Sequence, residues 1–449
     1  MLHAISRRSL LAGAGLAPAA WAKPSMTVAP FESSVTPPRG SALCFGLVPP
    51  ATGKDDPLLA RGVVIRPGGQ KPIVLCAVDW LGIGNGGLDE ARASIARSLE
   101  TEPGRVALHT VHQHDAPGYD STAEELLKAA RLDDVLQPGD FCRGALSAIA
   151  VAASVAEPVR VTHMSTGWAA VEGVASNRRL LDADGKFLFQ RFTACKNSPH
   201  CDAPEGTIDP QLRTVSFFDG DKRIASLHYY ATHPMSHYGK GVISADFVGA
   251  ARRAMEGFHV YFTGAAGNIG AGKYNDGSPG RRALLAGRIE AAMRKSIAGE
   301  ARRAVGKVDW KRVEVALPHR EGEEFTEQAI ERTIADASKL PRDRASAGRY
   351  LAWLRLRRSG RKIDVSALNF DGGSVLHLPG ELFVEYQLAA QKERPGLVVA
   401  MAAYGDYGPM YIGTRAAYGE GGYETSIVSR VGPDAETILL DAIRKLGRA

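Results

Sequence analysis

The sequence predicts an α/β protein of mixed type: a mixed β-sheet core flanked by helices, in a single large domain. Three observations carry this. Apolar runs of strand length alternate with runs of helical spacing through most of the 449 residues. Two hairpin signals, Asp219-Gly220-Asp221 and Asp371-Gly372-Gly373, sit between apolar runs, so the strands on either side pair antiparallel. Helices between other strands demand crossovers, which give parallel pairs, and the sheet is therefore mixed. No internal repeat or low-complexity linker is visible.

Composition agrees. With 45% hydrophobic and 23% charged residues, the balance is that of a soluble globular chain, not of a disordered tail, a collagen-like rod or a multi-span membrane protein. The formal charge of +6 is spread thinly without a Lys/Arg block, so no nucleic-acid partner is expected.

In chain order, residues 1–22 read as a secretion signal. Ser6-Arg7-Arg8-Ser9-Leu10-Leu11 places paired arginines before an apolar run to Ala20, and Ala20-Trp21-Ala22 offers a small-residue cleavage point. The pairing resembles a twin-arginine signal, which exports folded proteins. The expected destination is the periplasm or beyond, with no transmembrane anchor once the segment is removed, because no later run reaches ~20 apolar residues. Val63–Arg66 and Pro72–Asp79 are strands joined by the turn Pro67-Gly68-Gly69-Gln70. Leu88–Leu99 is a helix, Arg105–His112 a strand and Gly139–Ala156 a mostly buried, Ala-rich helix. Arg213–Phe218 and Arg223–Tyr230 form the first hairpin, and His259–Thr263 is a short buried strand. Arg281–Ile297 is an amphipathic helix. Glu323–Ser338 and Arg342–Arg358 are charged helices separated by Pro341, and the stretch 320–362 reads as a helical insertion in a domain spanning 23–449. Asp364–Asn369 and Ser374–Leu378 form the second hairpin, and Leu397–Ala402 is the last strand.

Of five cysteines, Cys76 lies in an apolar run and reads as a core residue. Cys195 and Cys201 flank a short loop; in an oxidising compartment they can pair, or they can remain as two free thiols.

Five constellations carry chemistry. His112 and His114, in Thr110-Val111-His112-Gln113-His114-Asp115, lie two apart at the end of a strand and can present both imidazoles to one point, an arrangement suited to a metal. His233, in Ala231-Thr232-His233-Pro234, likewise emerges from a buried strand, where active-site groups of α/β domains collect. Glu381, in Leu378-Pro379-Gly380-Glu381, is either a carboxylate of a helix first turn or a metal ligand. Five tyrosines (404, 407, 411, 418, 423) share a glycine-rich stretch, where a hydroxyl can polarise a carbonyl. The run Gly264-Ala265-Ala266-Gly267-Asn268-Ile269-Gly270 makes a close-approach turn and lacks the Lys-Ser/Thr of a phosphate loop.

Together these motifs, in this order from Val35-Thr36-Pro37-Pro38 to Gly422-Tyr423-Glu424-Thr425, resemble the neutral/alkaline, non-lysosomal ceramidase family. The resemblance covers most of the chain. It implies a zinc ion, one per chain, held by His112, His233, Glu381 and Tyr411. It further implies that His114, Arg178 (in Ser176-Asn177-Arg178-Arg179) and Tyr423 act on the substrate. His114 would shuttle the proton, and Tyr423 with Arg178 would bind the carbonyl oxygen as it becomes an oxyanion. The implied activity is hydrolysis of a linear amide, ceramide or another N-acyl compound, so the partner is a small-molecule or lipid substrate. The chain departs from the family pattern at Asn268 and Gly270, which replace an aspartate and a serine, and it ends shortly after the tyrosine stretch, without the family's C-terminal β-sandwich. These departures leave open the same site acting on a polar ester, sugar or cell-wall fragment, or a non-catalytic periplasmic metal- or ligand-binding protein. Manganese or iron also suit the donor set.

Overall fold

The computed structural model describes residues 26–196 and 198–447; the proposed signal segment 1–22 lies outside them. The first sheet comprises β1 (Met26–Ser34), β2 (Leu59–Pro67), β3 (Ile73–Val78), β4 (Val106–Thr110) and β5 (Val159–Arg160), in the order β4-β3-β2-β1-β5. The β2–β3 hairpin is antiparallel, as its Pro-Gly-Gly turn predicts, and Gly69 takes the left-handed φ of 74° there. Helix α1 (Asn85–Ser98) then returns the chain so that β4 lies parallel to β3. All residues of β3 and β4 are buried, which explains the unbroken apolar run of β3 and of Val106–Leu108 in β4. Helix α2 (Gly139–Ser154) packs on β1 and α1.

The second sheet repeats this plan. It contains β6 (His163–Ala170), β7 (Gln211–Asp219), β8 (Lys222–Tyr230), β9 (His259–Thr263) and β10 (Ala301–Ala304), ordered β9-β8-β7-β6-β10. The β7–β8 hairpin is antiparallel with an irregular register at Phe217/Phe218. Helix α3 (Asp246–Arg253) leads to β9, which is parallel to β8, and α4 (Pro279–Ala298) follows. The third sheet, β11 (Val308–Val315), β12 (Ile363–Phe370), β13 (Gly373–His377) and β14 (Val398–Ala402), is ordered β11-β12-β13-β14. Helices α5 (Glu327–Ala335) and α6 (Pro341–Arg358) lie between β11 and β12, within the stretch read as an insertion. The β12–β13 hairpin is antiparallel, and α7 (Val384–Lys392) leads to β14, parallel to β13. Helix α8 (Ala435–Gly447) packs on α7, β11 and β12.

Three units thus share one topology: a strand, an antiparallel hairpin, a helix and a final strand parallel to its neighbour. The sequence shows no repeat because topology needs only the apolar pattern, not matching residues. Two further differences stand out. The two charged helices are separate as read, but the first spans only Glu327–Ala335, and Pro341 opens α6, where its missing N–H costs nothing. The lead strands β1, β6 and β11 carry no strand signal strong enough to be predicted. β1 contains Pro30, tolerated because β5 pairs only with Thr27 and Val28 and leaves that edge free. β11 alternates half-exposed charged residues along an edge.

The three parallel pairs meet with their C-terminal ends together. Thr110 N–H bonds to Tyr404 O (3.0 Å), Ala403 N–H to Thr263 O (3.0 Å), and Thr263 Oγ1 donates to Val111 O (2.6 Å). A buried ion pair ties the first two units. Arg252 on α3 reaches both oxygens of Asp79, just past β3, at 2.9 and 2.6 Å, with both side chains 1% exposed. Asp79 also accepts from Leu59 N–H. Asp79→Ala strands the guanidinium and is expected to cost about 3–5 kcal/mol, read from the urea midpoint.

Buried imidazoles make the fold sensitive to acid. His228 Nε2 contacts His259 Nδ1 at 2.9 Å, and His377 Nδ1 contacts His109 Nε2 at 3.1 Å. Burial lowers His109 to about 4 and holds His228, His259 and His377 below their usual 6.5. The unfolded chain therefore binds more protons than the folded one between those values. Stability is full above about pH 6.5 and falls as the pH drops toward 4, by at most ~1.4 kcal/mol per group per pH unit. Unfolding midpoints that stay flat from pH 7 to 5 would contradict this.

Candidate metal centre

The loops that leave the joined strand ends build the site. Beyond β4, Val111 and His112 donate their N–H groups to Val78 O and Trp80 O, which folds the chain back on the first unit. His112 takes φ 72°, and its Nδ1 donates to Leu81 O at 2.7 Å. His233, three residues past β8, donates from Nδ1 to Ala266 O and Ile269 O at 2.6 and 3.0 Å. Those carbonyls belong to the small-residue turn after β9. Glu381 lies past β13 in a two-residue parallel ladder with Tyr411. A Cβ on Gly267 would stand 2.3 Å from Glu381 O, which is why that turn is built of glycine and alanine. Cys44, Phe45, His112, Tyr404 and Met410 all take positive φ at or beside this point. Each such strain costs about 1–3 kcal/mol, which the joined strand ends impose.

The four side chains assigned as ligands converge. His112 Nε2 lies 3.2 Å and His233 Nε2 3.0 Å from the same Glu381 oxygen, and Tyr411 Oη lies 3.5 Å from His233 Nε2. Both Nδ1 atoms donate to carbonyls, so in the neutral imidazoles the Nε2 atoms present lone pairs. Burial lowers His233 to about 4, which favours the neutral imidazole a metal ligand needs. A carboxylate oxygen facing two imidazole lone pairs at hydrogen-bond distance is repulsive unless a positive charge lies among them. His112 Nε2 indeed has no hydrogen-bond partner among the described residues. Ligand atoms ~2.0–2.1 Å from a tetrahedral ion stand about 3.3 Å apart, close to the spacings found. The donors therefore fit a divalent cation.

The remaining predicted residues surround these four. His114 falls within the group itself: ligand atoms of His112, His114 and His233 all lie within 4.8 Å of one another. Its Nε2 is buried and unpartnered, and its Nδ1 contacts Cys44 Sγ at 3.6 Å. Arg178, 3% exposed, reaches Tyr411 Oη at 3.2 Å from Nη1 and Glu424 Oε1 at 3.4 Å from Nε. Burial pushes the Tyr411 phenol up, and Arg178 pulls it down. Tyr423 stands at the rim, 40% exposed, its ring 5.8 Å from Tyr411. Exposed Phe192 meets Tyr423 edge-on at 5.8 Å.

Three contributors were missed. Tyr407 donates to Glu381 Oε1 at 2.8 Å, and the Tyr404 ring stacks on His112 at 4.4 Å. Both lie in the tyrosine-rich stretch, whose composition marks the region but not which hydroxyl turns inward. Cys44 carries no signal in the sequence; burial pushes its thiol up to about 12. The two departures have separate outcomes. Asn268 faces the first turn of α7, accepting from Val384 N–H at 2.9 Å and donating to Glu385 at 3.0 Å. Gly270 lies against Arg178, where a Cβ would make ordinary contact at 3.4 Å. Asp115, beside His114, turns away to accept from Gly239 N–H. Cys195 and Cys201 form a disulfide, while Cys44, Cys76 and Cys142 are free and buried.

No protein-family model matches this chain, and none of the curated proteins is significantly similar to it. Solved structures do match. A ceramidase complexed with C2 superposes over 94% of this chain and 75% of its own, with a TM-score of 0.66 and 15% identity. Neutral ceramidase from Pseudomonas aeruginosa superposes over 95% of this chain and 75% of its own, with a TM-score of 0.64 and 17% identity. Identities this low speak for the backbone alone. The chain has the fold of the neutral ceramidases.

Proposed function

We propose that this chain is a hydrolase of a linear amide, an N-acyl compound, working at a single divalent cation, zinc by the nitrogen and oxygen character of its donors. The observation that carries this reading is one Glu381 oxygen set against the Nε2 atoms of two buried imidazoles. The ceramidase neighbours support amide chemistry. The exposed Phe192 at the rim supports an apolar substrate arm.

His112, His233, Glu381 and Tyr411 would hold the ion. When bound, such a cation lowers the pKa of a water to ~7 and polarises a carbonyl oxygen. Arg178 stabilises the ionised form of the Tyr411 phenol through its Nη1 contact and is itself anchored by Glu424. Arg178 and the Tyr423 hydroxyl receive the carbonyl oxygen as negative charge develops on it. His114 carries the proton: its free Nε2 accepts it from the attacking water and delivers it to the leaving nitrogen. Burial holds the His114 imidazole neutral, the state a base needs.

Metal analysis of the purified chain is expected to return about one divalent ion, and chelation to lower the melting temperature until zinc is restored. His112→Ala loses both the ion and turnover of N-acyl substrates. His114→Ala keeps the ion and loses about 10²–10⁴ in kcat. Loss of the ion from His114→Ala would make that residue a ligand instead of the proton carrier. A chain that holds its ion yet turns over none of a panel of acyl amides, esters and glycosides would be a binding protein.

Export through the twin-arginine-type segment belongs to the same reading, with the periplasm or the exterior as destination. The Cys195–Cys201 disulfide supports an oxidising compartment. Changing Arg7 and Arg8 to lysine is expected to leave the chain in the cytoplasm, measured by fractionation.

A further inference from the structure

We propose that the substrate carries an oxyanion, a carboxylate or a phosphate ester, and that Arg349 on α6 receives it; this rests on the amide-hydrolase reading above. Arg349 is 3% exposed, and its Nε is buried without a partner. Among the described residues, its guanidinium forms no ion pair and no hydrogen bond. Every other buried arginine has acceptors. Arg178 and Arg179 reach Glu424, Arg252 reaches Asp79, and Arg191, Arg394 and Arg430 donate to main-chain carbonyls. A guanidinium removed from water without an acceptor is strongly unfavourable, so a protein that keeps one has a use for it.

The acids around Arg349 are already engaged. Asp120 accepts from Ala123 N–H and from Asn85 Nδ2 at 3.0 and 2.7 Å. Glu381 is taken by the imidazoles and by Tyr407. Among the described residues, no carboxylate is turned to Arg349 as its acceptor.

Its position relative to the metal centre indicates the source. The Arg349 Cζ stands 4.0 Å above the Phe45 ring, Phe45 stacks on Tyr407 at 6.0 Å, and Tyr407 holds Glu381. Cys44, the residue before Phe45, touches His114. A Cβ on Gly118 would come within 2.2 Å of the Phe45 ring, so glycine there makes room for it. Arg349 thus stands two aromatic rings, Phe45 and Tyr407, from Glu381 of the proposed centre. A planar guanidinium fork in such a place matches carboxylate or phosphate.

Binding and hydrolysis of three amides with one acyl chain test this: an N-acylglycine, a phosphorylated N-acylethanolamine and the neutral N-acylethanolamine. At least one anionic amide is expected to bind the full chain about 10- to 100-fold more tightly than the neutral one. Arg349→Met should collapse that ratio to about twofold or less, and Arg349→Lys should keep part of it. Without ligand, Arg349→Met should not lower the melting temperature, because it removes an unpaired buried charge. Equal binding of the neutral amide, a ratio unchanged in Arg349→Met, or a melting temperature several degrees lower would each overturn the proposal. Tight, Arg349-dependent binding with no turnover keeps the anion site and overturns the amide-hydrolase reading. Turnover with no anionic preference does the reverse.

Discussion

One oxygen of Glu381 faces the Nε2 atoms of His112 and His233 across about a hydrogen-bond length, with all three side chains buried. Each imidazole is locked by a carbonyl that takes its other nitrogen: Leu81 O for His112, Ala266 O and Ile269 O for His233. Neither ring can rotate away or change tautomer without breaking a buried hydrogen bond. The rest of the site follows from that fixed confrontation. It calls for positive charge at its centre, it brings Tyr411 to the same point, and it draws Tyr407 onto the remaining Glu381 oxygen.

The architecture explains how residues so distant in the chain arrive together. Three units, each ending in a parallel strand pair, turn their C-terminal ends inward. The first unit contributes His112 and His114, the second His233 and the carbonyls that orient it, and the third Glu381 and the tyrosines. Parallel pairs leave loops at one end only, and active-site groups collect there in α/β sheets for that reason. The cost appears as left-handed backbone at His112, Tyr404 and Met410 and as buried charged groups whose counter-charges lie across unit boundaries. The Asp79–Arg252 pair and the Arg178–Glu424 contact are of that kind. Replacing one partner of such a pair damages more than a local contact, because it loosens one unit from the next.

Much of the site was legible from residue types at strand ends. Histidines two apart after an apolar run, a histidine before proline, and a glutamate after Pro-Gly each mark a strand emerging into a loop. The structure places each of them there. Tyr407 and Tyr404 were visible only as members of a tyrosine-rich stretch, since composition does not say which ring faces inward. Cys44 and Arg349 were not legible at all. Their place depends on the left-handed turn at Cys44-Phe45 and on how α6 lies over it, and neither leaves a periodic or motif signal. The lead strands β1, β6 and β11 escaped for a related reason. Their patterns are broken by proline, glycine or exposed charge, and pairing with neighbours holds them as strands.

The sequence by itself determined the local elements: the hairpins from their Asp-Gly turns, the buried strands from unbroken apolar runs, and the chemistry available at their ends from the His, Glu and Tyr residues placed there. Local preference acts over a few residues, so it can settle these and no more. The threefold arrangement, the convergence on Glu381 and the unpaired Arg349 were decided by tertiary structure alone. They rest on burial and hydrogen bonds between segments more than a hundred residues apart, and interactions over such separations exist only once the strand ends have met.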